Sequence, residues 1–133
     1  IRLIKGTVVK ESYLELLKST IGKRKWKGTR TWQQDNATAH TAAIVREWLT
    51  ANANRLEDWP ANSPDLSPIE NLWGRMWSDA VRMRPKSADE LWICVEKVFT
   101  EYSQEYVDTL VLSFRRRLLK CVELKGQSIS GEY

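Results

Sequence analysis

The 133-residue sequence has one histidine, two cysteines and no long apolar run. A helix that crosses a bilayer needs roughly 20 successive apolar residues, and no stretch approaches this length, so we expect no membrane partner. The cysteines, Cys94 and Cys121, stand alone in helix-like segments. This placement favours buried thiols over a disulfide and predicts a reducing compartment.

The composition is that of an ordinary globular domain, with 42% hydrophobic and 29% charged residues. We predict one domain over residues 1–125 and a flexible tail over residues 126–133. The net charge of +4 suits a polyanionic partner, although many proteins with other partners are equally basic. Two basic clusters fit either phosphate contact or ordinary solvated surface, namely Lys23, Arg24, Lys25 and Lys27 in one connection and Arg115, Arg116 and Arg117 near the C-terminus.

Apolar spacing predicts strands alternating with helices, followed by three more helices. The strand-like runs are 1–9, 29–34 and 55–59, and the helix-like runs are 10–21, 38–51, 68–84, 87–101 and 103–124. Early alternation of this kind predicts an α/β fold with helices packed on a sheet. In the helix that starts at Pro68, we expect one buried stripe that includes Trp73 and Trp77.

Two acids stand out because each closes or opens a predicted element. Asp35 ends the strand-like run in Trp32-Gln33-Gln34-Asp35-Asn36, and Glu70 opens the helix that follows a proline-rich loop. Two carboxylates on rigid elements can share divalent metal ions, which drive phosphodiester chemistry. Each acid also has a simpler interpretation: Asp35 as a turn residue before Asn36, and Glu70 as the partner of Ser67 in a capping box.

The residues around both acids carry a longer pattern. Gln33-Gln34-Asp35-Asn36…His40 and Trp59-Pro60…Ser63-Pro64-Asp65-Leu66…Pro68-Ile69-Glu70-Asn71-Leu72-Trp73 resemble the catalytic domain of Tc/mariner-superfamily transposases. Between the acids lie 34 residues (70 − 35 − 1), the spacing of the Tc-like branch of that family. The resemblance extends from Gly6-Thr7 to the Arg115-Arg116-Arg117 helix and the tail. The Ala37-Thr38-Ala39 segment lacks the proline that many relatives have before the histidine.

The resemblance implies an RNase H-like (DDE transposase/integrase) fold and cut-and-paste DNA transposition dependent on Mg²⁺ or Mn²⁺. Asp35 would be the second catalytic and metal-binding acid and Glu70 the third. In the family, the first catalytic Asp and the helix-turn-helix modules precede the segment that this sequence resembles, and this sequence contains neither. The expected partners are transposon ends and target DNA, and in a eukaryote the expected location is the nucleus.

Without the strands that carry the first Asp, a family-type sheet would have unpaired edges, which are association hazards. We therefore expect the chain to belong to a larger protein or to self-associate, for example as a homodimer, and to be inactive by itself. Asn36 is expected to orient Asp35 or to touch substrate. A lone histidine is more often a hydrogen-bonded residue than a ligand, so His40 is expected to contact DNA or the active-site loop. Asp65 is interpreted as a turn or cap residue.

Two other hypotheses remain open at this point. The chain could be a non-catalytic remnant of a transposase that binds DNA or a partner through its basic surface. It could also be an unrelated small α/β domain whose acids only cap helices. The first alternative predicts salt-sensitive DNA binding that is indifferent to Asp35 and Glu70.

Overall fold

The computed structural model describes residues 1–4, 6–22, 31–55 and 59–129. Its described helices are α1 (Lys10–Thr20), α2 (Thr38–Thr41), α3 (Ala43–Asn52), α4 (Pro68–Arg82), α5 (Ala88–Glu101) and α6 (Gln104–Glu123). Two strands, β1 (Thr31–Trp32) and β2 (Asn54–Arg55), and a 3-10 turn at Pro64–Leu66 complete the regular structure of these residues. None of the described helices is both long enough and apolar enough to span a membrane.

The predicted fold class, an RNase H-like α/β fold with a mixed sheet, is wrong, because the described residues are mostly helical and contain almost no sheet. β1 and β2 pair in parallel over two residues each, Thr31 with Asn54 and Trp32 with Arg55. The described part of the strand-like run 1–9 pairs with no other described strand. A β-prone run becomes a strand only where a neighbouring strand satisfies its N–H and C=O groups, whereas a helix satisfies these groups within its own segment.

Residues Ile4–Ala61 form one compact unit. Tyr13 and Leu17 of α1 lie four residues apart and therefore on one face of the helix. They pack with Val45 and Leu49 of α3, which are completely buried and have the same spacing. Because β1, α2, α3 and β2 follow one another and the strands are parallel, α2 and α3 form the crossover connection. Asp35 lies in the loop between β1 and α2.

The helix predicted over residues 38–51 is broken at Ala42, whose backbone is extended (φ −59°, ψ 141°). No proline or glycine marks this break, so the apolar spacing could not reveal it. In a continuous helix, the carbonyl of His40 would accept a hydrogen bond from the N–H of Ile44. At the break, that carbonyl instead accepts a hydrogen bond from the side chain of Gln34 at 3.0 Å.

The second compact unit consists of Ile1–Leu3 with Asn62–Tyr133. Its core is formed by Ala80 of α4 with Cys94 and Val98 of α5. Ser87 caps α5, since its Oγ accepts a hydrogen bond from the N–H of Glu90 at 3.1 Å. Both cysteines are free thiols.

The buried stripe of α4 is narrower than the sequence predicts. Ala80 is fully buried and Met76 is half-buried, but Trp73 and Trp77 are 48% and 58% exposed. Their assignment to the core is therefore wrong. Apolar character alone does not determine which of the adjacent rows on a helix faces the core, because a 3.6-residue repeat admits several neighbouring rows.

Candidate active site

Asp35 lies in an exposed loop, and the surrounding residues hold one of its two carboxylate oxygens. Its Oδ1 accepts a hydrogen bond from the backbone N–H of Ala37 at 3.1 Å and lies 2.5 Å from His40 Nδ1. The side chain is 69% exposed, and no donor from the described residues reaches Oδ2. The carboxylate is therefore fixed through Oδ1, while Oδ2 is accessible to a cation. Metal-binding carboxylates commonly show this division, since their second oxygen is hydrogen-bonded to the protein.

Gln34 connects the residues behind Asp35. Its Oε1 accepts hydrogen bonds from Tyr13 Oη at 2.9 Å and from Trp32 Nε1 at 3.1 Å, and its Nε2 donates to the carbonyl of His40 at 3.0 Å. The side chain thereby joins α1, β1 and α2. Because α2 carries His40, this network determines where the imidazole meets Asp35.

Tyr13 supports the same imidazole through its ring. The Tyr13 and His40 ring centroids lie 4.3 Å apart, at a tilt of 38°. Burial raises the pKa of the Tyr13 hydroxyl, and the negative charge of Asp35 raises it further. The hydroxyl is therefore a stable donor to Gln34 at neutral pH. Neither Tyr13 nor Gln34 was predicted as a site residue, because the apolar spacing of α1 explains Tyr13 as core and glutamine alone indicates no chemistry.

Asn36 fixes the other side of the Asp35 loop. Its Nδ2 donates a hydrogen bond to the carbonyl of Trp59 at 3.0 Å, across 23 residues of sequence. The amide thus ties the loop to the segment that precedes the proline-rich stretch. Of the two roles considered for Asn36, this contact supports orientation of the loop.

Glu70 lies in the first turn of α4, and its side chain is exposed. Ser67 makes no side-chain cap hydrogen bond, and the N–H of Glu70 instead donates to the backbone carbonyl of Ser67 at 3.2 Å. The capping-box interpretation is therefore wrong for this pair. No described residue forms an ion pair or hydrogen bond with the Glu70 carboxylate, so its oxygens are accessible. A negative side chain at this end of a helix is favoured by the helix dipole.

The carboxylates belong to different compact units, Asp35 to Ile4–Ala61 and Glu70 to the unit that contains Asn62–Tyr133. Their convergence on one ion stays a prediction. Within either unit, the described residues contain no group of three or more histidine, cysteine or acidic side chains that could hold a metal ion. Carboxylate oxygens are nevertheless the ligands that Mg²⁺ prefers, and Mg²⁺ is commonly held by one or two of them together with waters and substrate phosphates. The carboxylates of Asp35 and Glu70, each taken separately, are ligands of this type.

The two basic clusters differ in what the structure describes. Lys23, Arg24, Lys25 and Lys27 lie outside the described residues. Arg115 and Arg116 are exposed on α6 and could contact phosphate. Arg117 is only 1% exposed, and its guanidinium donates hydrogen bonds to Ser113 Oγ at 2.9 Å and to the carbonyl of Asp65 at 2.8 Å. Arg117 therefore serves the interior of its unit, and within this cluster Arg115 and Arg116 are the side chains that present their charge to solvent.

Comparison with known proteins identifies the family to which these residues belong. The family described as DDE superfamily endonuclease matches residues 2–92, a range that includes both acids. The chain belongs to the DDE superfamily endonucleases. This membership confirms the resemblance inferred from the motifs.

Individual proteins to which this chain is similar include transposases of nematodes. The Tcb1 transposase of Caenorhabditis briggsae is 30% identical over 131 residues, which cover 95% of this chain and 47% of that protein. The Tc1 transposase of Caenorhabditis elegans is 33% identical over 95 residues, or 71% of this chain and 35% of that protein. The Tc3 transposase of the same species is 56% identical over 43 residues, or 32% of this chain and 13% of that protein. The chain thus spans less than half the length of these curated relatives.

Proposed function

We propose that this chain is the part of a DDE transposase catalytic domain that supplies the second and third metal-binding acids, Asp35 and Glu70, for DNA cleavage and strand transfer. The observation that carries the proposal is the state of the Asp35 carboxylate. His40 and the Ala37 N–H hold Oδ1, and no donor among the described residues reaches Oδ2 of this exposed side chain. A turn residue needs only the Ala37 contact, whereas a metal ligand benefits from the second one.

The protein side chains are proposed to bind the metal ion and to position its ligands, and not to act as nucleophiles. Bound Mg²⁺ or Mn²⁺ would supply Lewis-acid activation of the scissile phosphate. Asp35 and Glu70 would hold the ion, and His40 would keep the Asp35 carboxylate in position. Water or a DNA 3′-hydroxyl serves as nucleophile, so no protein nucleophile is needed.

DNA is the proposed substrate, as transposon end and as target, because the relatives are transposases. Arg115 and Arg116 are proposed phosphate contacts, and the lysine and arginine cluster at 23–27 is proposed to extend that surface. The eukaryotic relatives support a nuclear location. Self-association as a homodimer stays a prediction.

Titration with Mn²⁺, followed by the electron paramagnetic resonance signal of the free ion, tests the proposal. We expect Asp35→Asn and Glu70→Gln each to weaken binding by at least about tenfold, because each removes a ligand charge. The matched controls are Asp89→Asn and Glu105→Gln, both exposed acids in the first turn of another helix. They should leave Mn²⁺ affinity unchanged.

The competing hypothesis of a non-catalytic remnant predicts a different outcome. DNA binding would fall steeply with salt, and neither acid would affect Mn²⁺ or DNA affinity. Equal Mn²⁺ affinity in the wild-type chain, Asp35→Asn and Glu70→Gln would refute the catalytic assignment and favour the remnant.

A further inference from the structure

Asp65 makes long-range contacts that the sequence interpretation of a turn residue does not explain. Its Oδ2 accepts hydrogen bonds from the backbone N–H of Ile129 at 2.7 Å and from Ser128 Oγ at 3.1 Å. The Asp65 and Ile129 residues are 64 positions apart. Ile129 itself is buried, at 5% exposure. Ser128 and Ile129 fall in residues 126–133, for which the sequence predicts a flexible tail, yet both bind Asp65 in the 3-10 turn.

The backbone after α6 directs the chain toward this contact. Lys125 and Gly126 have left-handed backbones, with φ of 53° and 84°. The N–H of Gly126 donates to the carbonyl of Cys121 at 2.9 Å, which ends the helix. The chain then turns, and Ser128 and Ile129 reach Asp65. Glycine tolerates such a conformation without the steric cost that a β-carbon imposes.

The same 3-10 turn is also held by α6. The buried guanidinium of Arg117 donates to the carbonyl of Asp65 at 2.8 Å and to Ser113 Oγ at 2.9 Å. Leu66, the last residue of the turn, and Ser67, which follows it, are each 6% exposed. The residues directly before α4 are therefore fixed by two remote segments, one through the Asp65 carbonyl and one through its carboxylate.

We propose that Asp65 is a positioning residue for Glu70, and that the Ser128–Ile129 segment acts through it to hold the first turn of α4 in place. The inference rests on the proposed metal-binding role of Glu70. Glu70 follows Asp65 by five residues, through a turn whose Ser67 side chain provides no cap hydrogen bond. A metal ligand must be held within about 0.5 Å of its productive position, so a loose turn would weaken the site.

The charge of Asp65 is part of this device. Hydrogen bonds from neutral donors to a carboxylate are roughly twice as strong as bonds between neutral groups. The Ile129 N–H, and with it the Ser128 hydroxyl, lowers the pKa of the Asp65 carboxyl, so the group is ionised at neutral pH. Asparagine at this position would keep the size of the side chain and lose the charge.

The test combines Asp65→Asn with Glu70→Gln in a double-mutant cycle, again with Mn²⁺ as the probe. We expect Asp65→Asn to weaken Mn²⁺ binding by about tenfold in the wild-type background and to have no further effect in the Glu70→Gln background. A matched control is Asp79→Asn, which removes a carboxylate of α4 that accepts a hydrogen bond from Tyr102 in the same unit. It should disturb the unit without changing Mn²⁺ affinity.

Hydrogen exchange of the α4 amides provides a readout that needs no metal. We expect faster exchange at Glu70, Asn71 and Leu72 in Asp65→Asn and in Ser128→Ala, but not in Asp79→Asn. Unchanged exchange of these amides in Asp65→Asn would overturn the inference. So would a loss of Mn²⁺ affinity on Asp65→Asn that is equal in the wild-type and Glu70→Gln backgrounds. If Glu70→Gln alone leaves Mn²⁺ affinity unchanged, the proposed function fails, and the exchange data still decide whether Asp65 holds this turn.

Discussion

Replacement of Gln34 by leucine should lower the free energy of unfolding by more than the loss of one uncharged side chain suggests. Leucine has a similar size but cannot accept from Tyr13 Oη and Trp32 Nε1 or donate to the carbonyl of His40. A typical hydrogen bond contributes about 0.5–1.5 kcal/mol net, and a buried donor left without a partner costs about 1–3 kcal/mol. All three contacts are only partly buried, so water can hydrogen-bond to some of the groups that lose Gln34, which reduces the loss. We expect Gln34→Leu to lower the free energy of unfolding by about 2–3 kcal/mol.

The neighbouring glutamine provides the control. Gln33 is also half-buried, and no described residue forms a hydrogen bond with its side chain. Gln33→Leu should therefore change the free energy of unfolding by no more than about 0.5 kcal/mol. Urea unfolding followed by far-ultraviolet circular dichroism measures both variants, and with an m value of about 2 kcal/mol/M the Gln34→Leu midpoint should fall by about 1 M.

Gln34→Leu should also have a functional consequence, because Gln34 holds α2 and α2 carries His40. Gln34→Leu should weaken Mn²⁺ binding, and Gln33→Leu should not. Equal urea midpoints for the two variants would refute the network as a source of stability. A large midpoint change without any effect on Mn²⁺ would show that Gln34 stabilises the unit but does not position Asp35.

Two further predictions concern α6 and the second unit. Arg117→Met should lower the free energy of unfolding, measured with urea, by about 3 kcal/mol, since charged hydrogen bonds are worth about 1.5–3 kcal/mol each. Arg116→Met should instead reduce the slope of log DNA affinity against log salt concentration by about 1, measured by fluorescence anisotropy. The reverse pattern would contradict the assignment of Arg117 to the interior and Arg116 to the surface. Burial, together with the Asp79 carboxylate, raises the pKa of Tyr102 to about 12. Tyr102 therefore contributes stability that is fully present below its unfolded pKa of about 10 and is lost as the pH rises toward 12. Urea unfolding across that range should show a smaller loss of stability in Tyr102→Phe than in the wild-type chain.

The local signals in the sequence predicted the helices well and the sheet poorly. The α5 helix lies within its predicted run 87–101 and is capped by Ser87, and the side chains of α1 and α3 that meet in the core of Ile4–Ala61 have helical spacing within the predicted runs 10–21 and 38–51. Those features depend on residues a few positions apart. A sheet depends on which remote segments lie side by side, and β-prone residues such as Val8 and Val9 carry no information about their partner. The break at Ala42 was missed for a related reason, because it depends on a contact with Gln34 rather than on a local helix breaker.

The candidate site was predictable only in part. The motifs indicate Asp35 and Glu70, and family membership supports the pattern in which they occur. The supporting residues were not predicted, because their roles come from contacts across 21 residues for Tyr13 and Gln34 and 64 residues for Asp65 and Ile129. Arg117 shows the opposite failure. In the sequence it cannot be distinguished from Arg115 and Arg116, which are exposed. In the structure, its guanidinium is buried and donates hydrogen bonds to Ser113 and to Asp65 in the 3-10 turn.

The two motifs share a physical organisation that explains why each extends beyond its acid. In the first, Gln34 precedes Asp35 and binds a remote tyrosine; in the second, Asp65 precedes Glu70 and binds a remote backbone amide. In both, a polar residue that precedes the acid by one or five positions contacts a distant part of the same compact unit, and the acid itself is exposed. An isolated peptide that contained either motif would have the ligand but not the contact that positions it. The acids therefore depend on the folding of α1 and of the segment after α6, although neither segment contributes a carboxylate to the proposed metal site.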